Sequence, residues 1–264
     1  MGKGKPFLEV LSSAIHEDYR FPFLELFAFL YALSTFVLAN FTLGTTVQSA
    51  TNETVAYTVV NSLISGSLIV FIILVFKNIA YGLGSDLEKG IVQSYFSYPI
   101  KRWGILTAKL ISALGVSLLL FLGIQIAALY ILAPDIVLPQ FGTVVLTYVA
   151  YLSYPLLISA VMLLITLILK RGGISLVVGI VLYFAMSIIS GIALAVSFAT
   201  ESPLALQIIS VISPSFALQQ YYGGIFDVWT PALSEVILYV GVSYAIVVSL
   251  FILCYIYFSR RLNL

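Results

Sequence analysis

The run TVVLTYVAYLSYPLLISAVMLLITLIL, Thr143–Leu169, decides the class of this protein. It holds no Asp, Glu, Lys, Arg or His. At 1.5 Å per residue such a helix exceeds the ~30 Å hydrocarbon core of a bilayer, which takes about 20 apolar residues to cross. Five further runs meet that length: Phe23–Leu43, Tyr57–Ala80, Ile105–Leu132, Ile174–Ala199 and Ala232–Tyr257. Of the 264 residues 61% are apolar and 9% charged, and mean hydropathy is +1.12. A soluble domain carries about 25% charged residues, so that class is excluded. Long unbroken runs also exclude disorder and a membrane barrel, whose strands alternate. The sequence predicts an all-α membrane protein with six transmembrane helices in a single permease-sized domain, 1–264.

Six spans put both termini on one side. Segments 1–22, 81–104, 170–173 and 258–264, with the helix ends beside them, hold all 12 basic residues. The other side holds Glu53, Asp135, Glu201, Asp227 and Glu235 and no cation. The positive-inside rule then predicts cytoplasmic termini in a multi-pass protein of the cell membrane. Lys77 and Lys109 lie within about a turn of the inner surface, where they are expected to snorkel. Phe7, Leu8, Leu11 and Ile15 recur at helical spacing, so 1–22 is expected to hold an amphipathic interfacial helix, set off from the first span by Pro22. Neither a short apolar core nor a small-residue cleavage site follows Lys3 and Lys5, so a cleavable signal peptide is not expected. In the outer segment 200–231, Leu204–Leu218 is too short to span and is interrupted by Pro214, which predicts a re-entrant helix pair.

Chemistry is scarce. The chain has no phosphate-loop motif, no H-E-x-x-H and no G-x-S-x-G. With one cysteine, Cys254, and one histidine, His16, no disulfide framework or metal site is expected. The middles of the spans carry no ionisable residue, which disfavours a proton-coupled carrier. No catalytic residue, resident cofactor or nucleic-acid partner is expected. Anything the protein moves would draw its energy from a partner, which needs a docking surface.

The longest inner loop, 81–104, offers one. Ser85 and Glu88 form a capping box, predicting a helix of about three turns ended by Pro99. Asp86 and Glu88 sit in its first turn, where the helix dipole favours negative charge. Leu87, Ile91, Ser94 and Tyr95 share a face, flanked by Val92 and Phe96. Lys101, Arg102 and Trp103 are anchors for the third span. Asp-Leu-Glu-Lys-Gly at 86–90, Tyr-Pro-Ile-Lys-Arg at 98–102 and then Lys109 resemble the permeases of type-2 ABC exporters.

That resemblance implies a coupling helix docked on a separate cytoplasmic ATPase, which would bind ATP and Mg. It also implies a second permease half, identical or not, and an outward-moving cargo such as a drug, lipid-like molecule or peptide. By position Glu88, Gly90, Pro99, Arg102 and Lys109 carry the motif, and Asp86, Leu87, Lys89, Ile91 and Tyr95 complete the coupling surface. The chain departs from the family by Ala108, where those permeases place glycine. The alternative is a self-sufficient carrier or channel. Within the spans, Asn61, Ser65, Gln125 and Ser187 are candidate path residues. Tyr221 and Tyr222 join them from the outer segment. Ala108, Ser112 and Gly115 read as a packing stripe, Pro155 as a kink, and Asn52-Glu53-Thr54 as an outer sequon.

Overall fold

The computed structural model describes residues 6–43, 51–96, 100–223 and 228–260, and every element among them is helical. Lys3, Lys5, Pro99, Asp227 and Arg261 lie outside the described residues. Helix α1 spans Pro6–Asp18 and α2 Phe23–Leu43, the two meeting at 64° across Pro22. Then come α3 (Asn52–Glu88), α4 (Ile91–Tyr95), α5 (Arg102–Leu132), α6 (Pro134–Val137), α7 (Phe141–Leu169) and α8 (Gly172–Thr200). Two nine-residue helices, α9 (Leu204–Ile212) and α10 (Ser215–Gly223), precede α11 (Leu233–Arg260). Five helices (α3, α5, α7, α8 and α11) are long and apolar enough to cross a membrane, and a sixth is gained if the bent α1–α2 pair counts as one span. The protein is a multi-pass helical membrane protein.

Burial sorts these helices. In their most apolar stretches α3 and α7 are 61% buried, α5 28%, α11 17% and α8 6%. So α3 and α7 form the centre, α2, α5 and α11 lean on them, and α8 presents nearly all its length outward. Lipid solvates Leu and Phe as well as a neighbouring helix does, so cohesion must come from close packing and interhelical hydrogen bonds. Tyr31, Phe71 and Phe121 supply the first, with ring centroids 6.0 and 5.6 Å apart. Gln125 supplies the second. Its Nε2 donates to Thr35 Oγ1 at 2.9 Å, Ser67 Oγ at 2.6 Å and the Leu63 carbonyl at 3.2 Å, while Tyr148 Oη donates to its Oε1 at 3.0 Å. One amide thus ties α5 to α2, α3 and α7.

Several local expectations are corrected. The second helix begins at Asn52, because Thr51 Oγ1 accepts from the Thr54 N–H at 3.3 Å and caps it. At its far end the helix does not restart at Ser85. It passes Ala80, widens to a π-helix over Lys77–Leu83 and resumes as α-helix to Glu88. Ser85 is an interior residue with no capping bond, so the three-turn loop helix is in fact the end of α3, a glycine turn and the short α4. Gly90 makes that turn at φ 72°, a left-handed conformation that glycine enters without steric cost. Helix α5 starts at Arg102 and carries its own π segment, Ile111–Val116, packed against that of α3. Pro155 sits inside the continuous α7.

Candidate functional site

The two π segments and α1 converge on a buried polar hub. Its centre is Lys109, 5% exposed, paired with Asp86 at 2.5 Å and Glu17 at 3.0 Å. Lys109 does not snorkel to the surface as expected. Asp86 is itself 1% exposed, so the first-turn acid of the motif faces inward to a cation. Lys77 also turns inward: Nζ donates to the Asp18 backbone carbonyl at 2.5 Å and lies 4.6 Å from the Phe23 ring centre. Ser112 Oγ donates to Asp18 Oδ2 at 2.5 Å. Tyr19 Oη donates to the Ser112 carbonyl at 3.0 Å, shares a bond with Ser117 Oγ at 2.9 Å and accepts from Asn78 Nδ2 at 2.9 Å.

The reason for this arrangement is local. Val10, Ala14 and Asp18 recur every four residues and form the face of α1 that is buried against α5. Small side chains let the helices approach, and the last position delivers a carboxylate to the hub. The apolar Leu8 remains 54% exposed on the other side, suited to an interfacial helix. Burial pushes the Asp18 carboxyl from 3.8 up to about 6, against the Ser112 bond and the Lys109 and Lys77 charges that pull it down. The same desolvation raises the Tyr19 phenol, which stays neutral.

The loop residues divide around this hub. Leu87 and Val92 are buried in the core, whereas the sequence places Val92 at the edge of its face. Ile91 and Tyr95 are half-buried, Tyr95 lying 5.7 Å from Lys109 Nζ, and Ser94 is exposed. Glu88, Lys89 and Arg102 are exposed, Arg102 resting 4.8 Å from the Phe96 ring centre. Glu88 has a structural duty as well: its Oε2 accepts from the Gly172 N–H at 3.2 Å, capping the start of α8. That start lies directly on α3, since a Cβ built at Gly84 would meet Gly172 Cα at 2.7 Å. The loop therefore connects rigidly to four helices: α1 and α5 through the hub, α3 by continuity and α8 through the Glu88 cap.

The candidate path residues do not form one line. Asn61, Tyr221 and Tyr222 do come together at the opposite end. Tyr57 and Tyr222 stack at 5.0 Å, Tyr221 meets Tyr222 edge-on at 4.7 Å, and Tyr222 Oη donates to Thr143 Oγ1 at 3.3 Å. Tyr151 Oη donates to Asn61 Oδ1 and lies 3.4 Å from Tyr57 Oη. Ser65 is exposed one turn along, donating to the Asn61 carbonyl at 2.6 Å. Gln125 is locked in the closed amide node, and Ser187 lies on α8 beside a separate cavity. Sequence reasoning missed Glu17, Asp18, Tyr19 and Asn78 of the hub, and Tyr57 and Tyr151 of the tyrosine cluster. One signal was present: Lys77 and Lys109 sit near span ends, and intramembrane cations are usually paired, with Glu17-Asp18 at the end of α1 to pair them.

No family model matches this chain, and no curated protein matches it. Among the described residues no group of three or more His, Cys, Asp or Glu is placed to hold a metal ion.

Proposed function

We propose that this chain is the membrane subunit of an ATP-driven exporter of the type-2 ABC kind. A separate cytoplasmic ATPase would bind ATP and Mg, and a second permease half would complete the path. The basic end of the bundle then faces the cytoplasm of a cell-membrane protein, and α9–α10 form the re-entrant pair at the outer end. The observation that carries this reading is the mechanical one. The segment Glu88–Tyr95 is fixed to α1, α3, α5 and α8 by buried ion pairs, a helix cap and backbone contact.

A push on the exposed Glu88–Lys89 corner would tilt those helices together rather than flex a loop. The tyrosine cluster at the far end packs α10 on α3 and α7 and supplies a closure that such a tilt would open. The cargo is an amphipathic or hydrophobic molecule, in keeping with spans whose interior carries hydroxyls and amides but no charge.

The experiment is purification of the full chain from native membranes in mild detergent, with mass spectrometry of what accompanies it. A stoichiometric soluble protein bearing a phosphate loop supports the reading. Its absence in several detergents favours a self-sufficient carrier. Two substitutions separate docking from folding. Glu88→Gln keeps an oxygen for the Gly172 N–H but removes the charge, and Lys89→Glu reverses an exposed charge. Both should leave thermal stability within about 0.5 kcal/mol while reducing partner retention.

A further inference from the structure

The break between α9 and α10 lies deep in the bundle. Ser243 Oγ donates to the Ile212 carbonyl at 3.4 Å, and Ser243 stands ten residues in from Leu233, the start of α11. Ser190 on α8 is likewise ten residues from Thr200. At 1.5 Å per residue both are about 15 Å from their helix ends, half of a ~30 Å hydrocarbon core. Irregular backbone at that depth persists only where it is buried in protein or lines a polar space. Ser213, at φ −133° and ψ 86°, is such a point, and it borders a cavity of about 210 Å³ lined by Tyr154, Ser187, Ser190, Ser213 and Phe216.

The lining has a definite chemistry. Tyr154 Oη is shielded from solvent and meets no hydrogen-bond partner among the described residues. Ser187 and Ser190 donate to their own helix, to the carbonyls of Tyr183 at 3.0 Å and Met186 at 2.9 Å, so their oxygens keep lone pairs free to accept. Ser213 and Ser215 share one bond at 2.9 Å, leaving one hydroxyl hydrogen free. Donors and acceptors are thus both present, and none of the five lining residues is charged. A charged group entering here would lose its hydration with no counter-ion to replace it. The mouth is lateral: Ser187 is exposed between Phe184 and Ile188, 59% and 63% exposed, on the outward face of α8.

We propose that this cavity seats the uncharged, hydroxyl-bearing head of an otherwise apolar molecule that enters sideways from the lipid. Its tail stays in hydrocarbon against α8, so the site needs no apolar tunnel. Phe216 and the Tyr154 ring flank the head, and Tyr154 Oη gains the partner it lacks. That this head belongs to the transported cargo rests on the exporter reading; the site itself does not.

The test uses the full chain in nanodiscs with no ATPase present. The probe is a monoacylglycerol carrying a diazirine near its head. Label is expected on peptides holding Ser187–Ser190 or Ser213–Phe216. Excess unlabelled monoacylglycerol should abolish it, and the same excess of an ionised fatty acid at pH 8 should not. Tyr154→Phe and Ser187→Ala should each lower labelling roughly five- to tenfold, the cost of one buried bond left unmade. Ser187 is on the surface, so that variant keeps the fold whatever Tyr154→Phe does. Equal competition by the fatty acid, or label spread along α8 and unchanged in both variants, overturns the proposal. Labelling without an ATPase in the purification leaves the site standing and the exporter reading fallen. An ATPase without labelling does the reverse.

Discussion

Lys109 carries the largest single consequence of any side chain in the hub. A buried ion pair adds little net stability over an apolar pair, but removing one member strands the other charge, at about 3–5 kcal/mol. Lys109→Met is therefore expected to cost that much, because Asp86 is as buried as the lysine. The double variant Lys109→Met/Asp86→Asn should recover most of the loss. Thermal unfolding in one detergent, read for both singles and the double, gives the coupling directly. Asp18 makes a second, pH-dependent prediction. Its carboxyl is held near 6 in the folded protein against an ordinary 3.8, mainly by burial, so the folded state keeps the proton to higher pH than the unfolded chain does. The stabilisation is complete below about pH 4 and is lost as pH rises through 6. Between pH 5 and pH 7.5 the loss is roughly 1–2 kcal/mol. Asp18→Asn keeps an oxygen for Ser112 and should flatten that part of the profile. An unchanged difference between pH 5 and 7.5 in the variant would place the effect on another group.

At the scale of elements, the start of α8 is held by two glycines and one carboxylate. A Cβ at Gly84 meets backbone at 2.7 Å and one at Gly172 meets the Ser85 nitrogen at 2.9 Å, and backbone on a packed helix cannot step aside. Gly84→Ala and Gly172→Ala should each cost about 1–3 kcal/mol by overpacking and release the Glu88 cap. Gly179→Ala is the contrast, since its nearest neighbour is the flexible end of Met162; its apparent Tm should stay closer to that of the unmodified protein. These contacts also mark what could be read beforehand. The spans were legible because apolar length is a local property: Phe23–Leu43 is a helix over those residues, and the other runs extend by a few residues at their ends. The loop was not, because a capping box competes with whatever lies upstream. Here Lys77–Leu83 stays wound against α5 and α8, and the helix runs through Ser85. The partners of Lys109 were equally hidden. Glu17 lies 92 residues away, and only the packing of α1 on α5 decides which acid arrives. The tyrosine cluster was half visible, with Tyr221 and Tyr222 apparent from their glycine-flanked segment and Tyr57 and Tyr151 lost among many aromatic residues.

For the whole molecule, the sides of the membrane decide whether any of this can act as proposed. The packing gathers the ends that carry Lys77, Lys89, Arg102, Lys109, Lys170 and Arg171 around the α3–α5–α8 junction, while Glu53, Asp135 and Glu201 lie at the other ends of the same helices or just beyond them. A helix bundle with one basic end and one acidic end inserts with the basic end in the cytoplasm, and only that orientation brings Glu88 and Lys89 within reach of an ATPase. Cys254 is buried and is the only cysteine, so Cys254→Ser gives a background for single reporters at a small expected cost. In that background, Lys89→Cys should react with a membrane-impermeant maleimide in inverted vesicles and not in intact cells. Glu53→Cys and Glu201→Cys should show the opposite pattern. Both loci reacting from one side would break the odd number of crossings that α3 requires. A clean but reversed pattern would keep the fold and remove the exporter, because the Glu88–Lys89 corner would then face away from every source of ATP.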